Sequence, residues 1–425
     1  MIKETSIILS PASVNGTLKA PTSKSYMQRV LALALLNPGE TIINNPGKSA
    51  DDLAALSIIE NLGAKIRQEE SLLYVKGVSI VAGEKIHAGE SGLSLRMFTP
   101  IAALSANKIY ITGEGSLLQR PMDVFKEIFS ELNVQYSSID GKLPLTVEGP
   151  MQVQNIEMDG SLSSQFLTGF LVAFCYAAKE QVDIKVKGLK SKPYINLTLQ
   201  LLNKFGYEVS HNNFETFTIN PKGKVAKNVN CIVEGDWSGA AFLLVAGAIG
   251  GSVTVTGLDL ASEQADKKIM EALRDCNAKL IVNDETITVE KSEPVAFNFD
   301  ATDCPDLFPP LVALAACCNG VSEIKGVSRL KHKESDRAVA LIKEFATLGV
   351  SVKVDGDVMK VTGTNNISGG TVHSHHDHRI AMATAIMSTR ATSAIEIIEA
   401  SAVNKSYPHF YEDLIKIGSK IKICE

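Results

Sequence analysis

A pattern of helical and strand segments recurs along the whole chain at intervals of roughly seventy residues, the length of a subdomain rather than of a solenoid turn. In each copy a helical stretch rich in Ala and Leu leads into a strand with alternating or β-branched residues, and a charged loop and an amphipathic helix follow. These strands are ETIINN (40–45), KIYITG (108–113), VDIKVKG (182–188), SVTVTG (252–257), VSEIKG (321–326) and AIEIIEA (394–400). The pattern predicts six copies of a βαβαββ unit.

The amphipathic helix of each copy has apolar residues at i, i+3, i+4 and i+7, which gives it one buried face. These helices read DDLAALSIIENLGA, MDVFKEIFSELNV, INLTLQLLNKFGY, DKKIMEALRDCNA, DRAVALIKEFATLGV and HFYEDLIKIGSKI. Six units are too many for one hydrophobic core, so we expect two domains of three units each. Helices packed inside each domain would explain the more apolar first helices, such as FLTGFLVAFCYAA and LFPPLVALAACC.

The charge balance argues against two classes of partner. The 425 residues carry a formal net charge of −5, with a pI near 6.0. A general binder of nucleic acid or of an anionic membrane would be strongly basic. Any basic cluster in this chain is therefore local, and we expect neither nucleic acid nor membrane as a partner.

The cysteines and apolar runs bear on the cellular compartment. Seven cysteines are scattered along the chain without CxxC spacing, which is typical of core residues in a reduced protein. The start MIKETSIILSP has no long apolar stretch, and AAFLLVAGAIGG is too short to span a bilayer. These features predict a cytoplasmic protein, for which we expect a monomer.

Basic residues cluster just ahead of the predicted helices, where the helix dipole disfavours cations. They are Lys24, Arg120, Lys192, Lys333, Arg337, Arg379 and Lys405. The segment RLKHKESDR (329–337) alone holds four Lys or Arg residues and two acidic residues. One explanation is that each of these basic residues belongs to a separate, solvated helix cap. The alternative is an anion held among the basic groups, and the repetition favours it. The predicted ligand carries several phosphate or carboxylate groups and binds where the two domains face each other.

Eight motifs, in order along nearly the whole chain, resemble the 5-enolpyruvylshikimate-3-phosphate synthases. They are APTSKSYMQR, LLQRPM, DGSLSSQFLTGFL, SKPYINLTL, EGDWSGAAFLL, KHKESDRAVAL, DHRIAMA and NKSYPHF. The resemblance implies an α/β fold of two similar domains, each with three βαβαββ units in an inside-out α/β barrel. A central domain would span 21–235, and 1–20 plus 236–425 would form a discontinuous domain, with hinge crossovers near 15–21 and 234–237.

The family's reaction transfers the enolpyruvyl group of phosphoenolpyruvate to the 5-hydroxyl of shikimate 3-phosphate and releases phosphate. The step leads to chorismate and the aromatic amino acids. The resemblance implies that the chain needs no metal and no organic cofactor. We also expect shikimate 3-phosphate to close the two domains, because like-charged faces repel until an anion bridges them.

The resemblance assigns two overlapping sets of binding residues. Those implied for shikimate 3-phosphate are Lys24, Ser25, Arg29, Ser163, Ser164, Gln165, Ser191, Tyr194, Asp306 and Lys333. Those implied for phosphoenolpyruvate are Lys24, Gly92, Arg120, Gln165, Arg337, Arg379 and Lys405. Serines at a helix start suit a phosphate, because hydroxyl and backbone N–H groups both donate hydrogen bonds there.

Asp306, Glu334 and Lys24 match the family's catalytic residues. Two carboxylates in different environments suit a reaction in which a hydroxyl loses a proton and a carbon gains one. Basic neighbours lower the pKa of a carboxyl group, so we expect Glu334 to be ionised in the free protein. Asp336 would orient Arg337 or cap the helix.

Some positions depart from the family pattern. Where the family has Asn-Ala-Gly-Thr or similar, this chain has Glu90, Ser91, Gly92 and Leu93. Glu90 is expected either to weaken phosphoenolpyruvate binding or to pair with Arg96. With Glu90, Leu93 and Met97 as they stand, the sequence leaves sensitivity to the inhibitor glyphosate open. Arg329 stands where the family often has Asn, and its contact with substrate is open.

The tract HSHHDH (373–378) has the composition of a metal-binding segment, but only His378 matches the family, so we favour a loop with one site histidine. Two other functions remain open. One is a UDP-N-acetylglucosamine enolpyruvyl transferase, although the loop GEGSLLQRP lacks the Cys usual there. The other is a non-catalytic binder of phosphorylated metabolites, against which Asp306 and Glu334 argue.

Overall fold

The computed structural model describes residues 6–221, 228–331 and 333–424 of the chain. Within these ranges the α-helices are α1 Lys24–Leu36, α2 Ala50–Asn61, α3 Gly92–Ala102, α4 Val124–Glu131, α5 Ser164–Ala177, α6 Lys192–Lys204, α7 Trp237–Gly250, α8 Ile269–Asp275, α9 Phe308–Ala316, α10 Arg337–Thr347, α11 His378–Met387 and α12 Phe410–Lys416. Short 3-10 helices span Gly115–Gln119, Ala265–Lys268, Pro305–Leu307, Val327–Arg329 and Ala400–Lys405. The six amphipathic helices predicted from periodicity correspond to the even-numbered ones.

The described strands form six four-stranded sheets, and the pattern of parallel and antiparallel pairing is the same in all six. In each sheet two parallel strands lie at one edge and two antiparallel pairings complete the sheet. Read from the parallel edge, the strands of the first three sheets are Asn228–Ile232, Glu40–Asn44, Leu72–Lys76, Lys65–Glu69; Lys85–His87, Lys108–Thr112, Lys142–Glu148, Gln135–Ile139; and Ile156–Asp159, Val182–Lys187, Thr216–Asn220, Glu208–Asn212. Those of the other three sheets are Val14–Lys19, Gly251–Thr256, Thr286–Glu290, Lys279–Val282; Asn298–Asp300, Val321–Lys325, Val358–Thr362, Ser351–Asp355; and Gly370–His373, Ile395–Ile398, Ser6–Ser10, Lys420–Cys424. The predicted α/β class and the six predicted strands are confirmed.

The odd-numbered helices form the interior of the fold. All fourteen residues of α7 are buried, as are the nine residues of α9. Such helices are apolar all round, which is how a helix in the middle of a core differs from an amphipathic surface helix. The first residues of these helices therefore lie where a polar loop enters the packed core. The side chains at those positions are surrounded by groups that packing holds in place.

The chain divides into two compact units. One contains the described residues up to Pro21 together with those from Gly235 onwards, and the other contains the described residues of Thr22–Glu234. Each unit contains three of the sheets. Residues 1–5, 222–227, 332 and 425, which the predicted domain boundaries include, lie outside the described residues.

Each unit is closed by strands that are far apart in sequence. In the unit Thr22–Glu234, Asn228–Ile232 pairs in parallel with Glu40–Asn44. In the other unit, Val14–Lys19 pairs in parallel with Gly251–Thr256, and Ser6–Ser10 lies between two strands of the C-terminal region. The N-terminal residues therefore complete sheets that are formed mostly by the second half of the chain.

No helix in the ranges that the structure describes is long and apolar enough to cross a membrane.

The pairing of Gly251 with Val14 predicts a position that accepts no side chain. A Cβ atom at Gly251 would lie 1.9 Å from the carbonyl oxygen of Val14, and a backbone atom held in a sheet cannot move aside. We expect Gly251→Ala to lower the free energy of unfolding by about 1–3 kcal/mol, the usual cost of overpacking. The midpoint of urea unfolding measures this, with Ser252→Ala on the same strand as the control. Equal midpoints for Gly251→Ala and the wild type would contradict the strand register.

Candidate active site

Lys24, the first residue of α1, is held by an ion pair. Its Nζ lies 2.8 Å from Oδ2 of Asp51 in the first turn of α2, and its side chain is 15% exposed. Ser23 caps the same helix, because its Oγ accepts a hydrogen bond of 3.3 Å from the backbone N–H of Tyr26. The ammonium group is therefore fixed at a helix start with part of its surface accessible.

Arg29 connects α1 to α6 and is only 2% exposed. Its Nε donates to Oγ1 of Thr198 at 2.9 Å, and its Nη1 donates to the carbonyl oxygen of Ser25 at 2.7 Å. Nη2 donates to the carbonyl oxygen of Tyr194 at 3.3 Å, and the Tyr194 ring centre is 5.8 Å from the guanidinium carbon. Burial lowers the pKa of Arg29 to about 10, although Tyr194 acts in the opposite direction. Ser25 and Tyr194 are thus attached to one rigid cation.

Gln165 is oriented by two contacts at the start of α5. Its Oε1 accepts a hydrogen bond of 2.9 Å from Arg96 of α3, and its backbone N–H donates to Oγ of Ser163 at 3.3 Å. The guanidinium of Arg96 lies over the ring of Phe166, 5.1 Å from its centre. Ser164, the first residue of α5, is 4% exposed. These contacts place three of the predicted substrate-binding residues in one helix turn.

Gly92, the first residue of α3, leaves room for the guanidinium of Arg120. A Cβ atom at Gly92 would lie 2.5 Å from Nη1 of Arg120, which is 6% exposed. Nη2 of Arg120 donates to Oγ of Ser116 at 3.2 Å, and the backbone N–H of Ser116 donates to Oε2 of Glu90 at 3.3 Å. The prediction that Arg120 lies at a helix N-terminus is wrong, because this residue is the C-cap of the 3-10 helix Gly115–Gln119.

Ser191 has a backbone conformation that side-chain-bearing residues seldom adopt. It precedes α6 in the left-handed region, with φ of 54° and ψ of 45°, and is 7% exposed. Such a conformation in a residue other than glycine costs on the order of 1–3 kcal/mol and is found mainly at functional positions.

Arg337 is the centre of the charged cluster in the other unit. It is the first residue of α10 and has no exposed side-chain surface. Its Nε donates to Asp377 at 2.7 Å, its Nη1 to Asp306 at 2.6 Å and its Nη2 to Glu334 at 2.5 Å. Burial alone would lower the pKa of Arg337, but the carboxylates of Asp377, Glu334 and Asp306 outweigh it and raise the pKa above its ordinary value. The two predicted catalytic acids therefore share one guanidinium.

Asp306 binds two further cations. Its Oδ1 accepts a hydrogen bond from Nζ of Lys333 at 3.1 Å, and its Oδ2 accepts one from Nη2 of Arg379 at 3.0 Å. Burial tends to raise the pKa of Asp306, but Arg379, Lys333 and Arg337 hold it well below the usual range. Burial lowers the pKa of Lys333, against the effect of Asp306. Asp306 is thus an ionised acceptor for all three basic groups.

Two aspartates on either side of Arg337 have distinct roles. Asp336 caps α10, since its Oδ1 accepts from the backbone N–H of Val339 at 3.3 Å. Asp377 caps α11 by accepting from the N–H of Arg379 at 2.9 Å, and it also accepts from Ser335 at 3.0 Å. Of the two roles predicted for Asp336, the structure shows the cap, and it is Asp377 that orients Arg337. Sequence reasoning noted Asp377 only as part of the DHR motif.

The histidine tract is a loop held by two carboxylates. His375 is hydrogen-bonded to Glu344 at 2.7 Å, and Nε2 of His376 lies 3.0 Å from Glu399. Lys405 ends the 3-10 helix Ala400–Lys405, so its predicted place at a helix N-terminus is wrong, and its Nζ donates to the carbonyl oxygen of His376. The loop therefore fixes Lys405. It also fixes the residues of α11, the helix that follows the loop.

Four further positions raised by the sequence are placed as follows. His378 begins α11 and is 1% exposed, with its Nδ1 4.0 Å from Asp377. Leu93 and Met97 are buried in α3. Burial lowers the pKa of Arg329, and Asp303 and Asp306 act against it, so Arg329 lies within the electrostatic range of the Asp306 cluster.

The chain was compared with known proteins. Residues 8–414 match the family model of EPSP synthase (3-phosphoshikimate 1-carboxyvinyltransferase). A 3-phosphoshikimate 1-carboxyvinyltransferase of Clostridium perfringens is 37% identical over 421 residues, which cover 98% of this chain and 99% of the relative. A 3-phosphoshikimate 1-carboxyvinyltransferase of Aeropyrum pernix is 36% identical over 419 residues, which cover 98% of this chain and 96% of the relative.

Solved structures show the same fold. An EPSP synthase of Acinetobacter baumannii superposes with a TM-score of 0.84 at 23% identity, covering 99% of this chain and all of the other. The enolpyruvyl transferase NikO of Streptomyces tendae superposes with a TM-score of 0.80 at 15% identity and covers 99% of both chains. The predicted enolpyruvyl transferase fold is confirmed by these likenesses, and the sequence matches show that the chain belongs to the EPSP synthase family.

Proposed function

We propose that the protein transfers the enolpyruvyl group of phosphoenolpyruvate to the 5-hydroxyl of shikimate 3-phosphate and releases phosphate. The observation that carries this proposal is the pair of carboxylates, Asp306 and Glu334, attached to the buried guanidinium of Arg337 in a chain of this family. The family match favours this acceptor over the nucleotide sugar that the sequence left open.

Residues of the unit Thr22–Glu234 are proposed to bind most of shikimate 3-phosphate. Its phosphate would be held by hydroxyl and backbone donors of Ser163, Ser164 and Ser191, with Gln165 beside them. Arg29 supports this assignment because it holds Ser25 and Tyr194 in place. Lys24, Asp306 and Lys333 complete the proposed set.

Phosphoenolpyruvate carries a phosphate and a carboxylate, so its proposed site is mainly cationic. Lys24, Gly92, Arg120 and Gln165 are proposed from one unit. Arg337, Arg379 and Lys405 are proposed from the other. Arg337 and Arg379 are already fixed by Asp306, so little ordering of either side chain is needed when the anion binds.

The proposed chemistry needs one proton acceptor and one proton carrier. The 5-hydroxyl oxygen attacks C2 of phosphoenolpyruvate while Asp306, assisted by Lys24, draws off the hydroxyl proton. Glu334 supplies a proton to C3, which gives a tetrahedral intermediate. The bond from C2 to the phosphate oxygen then breaks, and C3 returns its proton to Glu334 as the double bond forms again. The hydroxyl proton leaves with phosphate. Bound phosphoenolpyruvate would offset the basic neighbours of Glu334 and so favour its protonated form.

A cytoplasmic location and a monomeric state stay predictions from the sequence.

A phosphate-release assay tests the proposed reaction. The protein is incubated with phosphoenolpyruvate and either shikimate 3-phosphate or UDP-N-acetylglucosamine, and a mixture without acceptor is the control. We expect release of phosphate only with shikimate 3-phosphate. Release only with the nucleotide sugar would show the other enolpyruvyl transfer, and tight binding of shikimate 3-phosphate without release would show a non-catalytic binder.

The role of Glu334 is tested by Glu334→Gln. Because a positioned proton carrier contributes typically about 10²–10⁴-fold to a rate, we expect kcat to fall by roughly 100-fold or more. The dissociation constants of both substrates, measured by calorimetry, should change little. Asp336→Asn is the matched control, since Asn also caps helices well and Asp336 is the neighbouring acid in the same loop. Wild-type kcat in Glu334→Gln would refute the role.

The close approach of Gly92 to Arg120 predicts a binding defect in Gly92→Ala. The added methyl group must displace the guanidinium, so we expect KM for phosphoenolpyruvate to rise about tenfold, equivalent to about 1.4 kcal/mol, with a smaller change in kcat.

A double-mutant cycle checks the cause. In an Arg120→Lys background the guanidinium is absent, so the further addition of Gly92→Ala should raise KM for phosphoenolpyruvate much less. The same increase of KM in both backgrounds would contradict the explanation.

A further inference from the structure

Two consecutive histidines, His375 and His376, have a left-handed backbone, with φ of 54° and 55°. They lie in the loop between the strand Gly370–His373 and α11. Residues with a side chain seldom adopt this conformation, because Cβ then comes too close to the following carbonyl oxygen. Two such residues in succession persist only where their surroundings hold them, and such positions are found mainly at functional sites.

Glu399 holds the second of these histidines. It is 9% exposed and is itself left-handed, with φ of 56°. Its Oε1 lies 3.0 Å from Nε2 of His376, and its Oε2 accepts a hydrogen bond of 3.3 Å from the backbone N–H of His376. The carbonyl oxygen of Glu399 also accepts a hydrogen bond of 3.0 Å from the hydroxyl of Ser374. The ring and the backbone of His376 are therefore both attached to Glu399.

A second buried carboxylate, Glu344 of α10, holds the first histidine. Oε1 of Glu344 is hydrogen-bonded to Nε2 of His375 at 2.7 Å, and Oε2 accepts from the backbone N–H of His373 at 2.8 Å. Glu344 is only 2% exposed. The strained backbone is thus held from two sides, by α10 and by the residue that precedes the 3-10 helix Ala400–Lys405.

The peptide group that joins His376 to Asp377 contacts the basic residues proposed for phosphoenolpyruvate. The carbonyl oxygen of His376 accepts a hydrogen bond from Nζ of Lys405, which is 9% exposed. The side chain of Asp377 accepts hydrogen bonds from Nε of Arg337 and from the backbone N–H of Arg379. The conformation of His376 therefore determines where the acceptor for Lys405 lies relative to the two arginines.

We propose that Glu399 is a positioning residue for phosphoenolpyruvate, which acts on Lys405 through the backbone of His376. Without the carboxylate, the carbonyl group of His376 is no longer held, and Lys405 regains side-chain freedom. That freedom must then be lost when the anion binds, which weakens binding. The inference rests on the assignment of Lys405 to phosphoenolpyruvate under the proposed function.

Glu399→Ala tests this role in the phosphate-release assay at saturating shikimate 3-phosphate. We expect KM for phosphoenolpyruvate to rise about threefold to tenfold, the usual effect of ordering one long side chain on binding. The values of kcat and of KM for shikimate 3-phosphate should change little, because Glu399 is not assigned to either step. Equal KM for phosphoenolpyruvate in the wild type and Glu399→Ala would overturn the inference.

Asp413→Asn is the matched control. Asp413 is also a buried carboxylate near the C-terminal end of the chain, but its partners are Tyr407 and Lys416. Its KM for phosphoenolpyruvate should match the wild type. A rise in this variant as large as in Glu399→Ala would show a general effect of losing a buried carboxylate and would contradict the inference.

A double-mutant cycle separates positioning from a purely structural role. In a Lys405→Met background the group through which Glu399 acts is absent, so most of the rise in KM caused by Glu399→Ala should disappear. The same relative rise in both backgrounds would contradict the inference. Wild-type KM for phosphoenolpyruvate in Lys405→Met alone would contradict it as well.

The proposed route through the backbone is tested at His376, whose side chain is 69% exposed, so that its loss leaves the core intact. His376→Gly keeps the carbonyl group and adopts a positive φ without strain, so its KM for phosphoenolpyruvate should stay close to the wild type. His376→Ala keeps the strain but loses the ring that contacts Glu399, and its KM should rise. Equal KM values in the two variants would contradict the inference, even if Glu399→Ala does not fold.

The outcomes distinguish this inference from the proposed function. Normal phosphate release together with equal KM for phosphoenolpyruvate in the wild type and Glu399→Ala would overturn the role of Glu399 and leave the proposed function intact. Absence of phosphate release in the wild type with shikimate 3-phosphate would overturn the proposed function and the inference that rests on it.

Discussion

A guanidinium group without access to water must be compensated by the protein, because an isolated buried charge costs several kcal/mol. Arg337 meets this requirement with carboxylates from three separate elements: Asp306 before α9, Glu334 before α10 and Asp377 at the start of α11. The same bonds that compensate the charge fix the orientation of the two proposed catalytic acids. The loss of Asp377, which touches neither substrate in the proposed scheme, would therefore disturb both acids at once.

Arg29, a buried arginine of the other unit, has different surroundings. Arg29 is bonded to a hydroxyl and two carbonyl oxygens, which are neutral acceptors. Its positive charge is thus satisfied by hydrogen bonds without being cancelled, and burial lowers its pKa. An uncancelled cation that is bonded to Ser25, Tyr194 and Thr198 suits a phosphate, whereas the carboxylate-rich surroundings of Arg337 suit proton transfer. The two units therefore place the same residue type in opposite electrostatic environments.

Local patterns in the sequence predicted much of the fold. Strand alternation at 108–113 and 252–257 and apolar periodicity at 336–350 correspond to observed elements, because each signal lies within one element. Arg120 and Lys405 were misplaced because short 3-10 helices have no periodicity that distinguishes them from the start of an α-helix. The hydrogen bonds from Arg337 to Asp377 and from Arg29 to Thr198 join residues 40 and 169 positions apart, and only the packing of separate helices brings them together.

The strand Ser6–Ser10 leaves the ribosome well before its neighbours Ile395–Ile398 and Lys420–Cys424. During synthesis its hydrogen-bonding edges therefore have no partner in the native sheet until these two later strands have been made. The strands that the structure describes within Thr22–Glu234 all pair among themselves, so that unit can complete its sheets on the nascent chain. The two units of the enzyme therefore complete their sheets at different times during translation. The unit with the carboxylate cluster completes its sheets after the other.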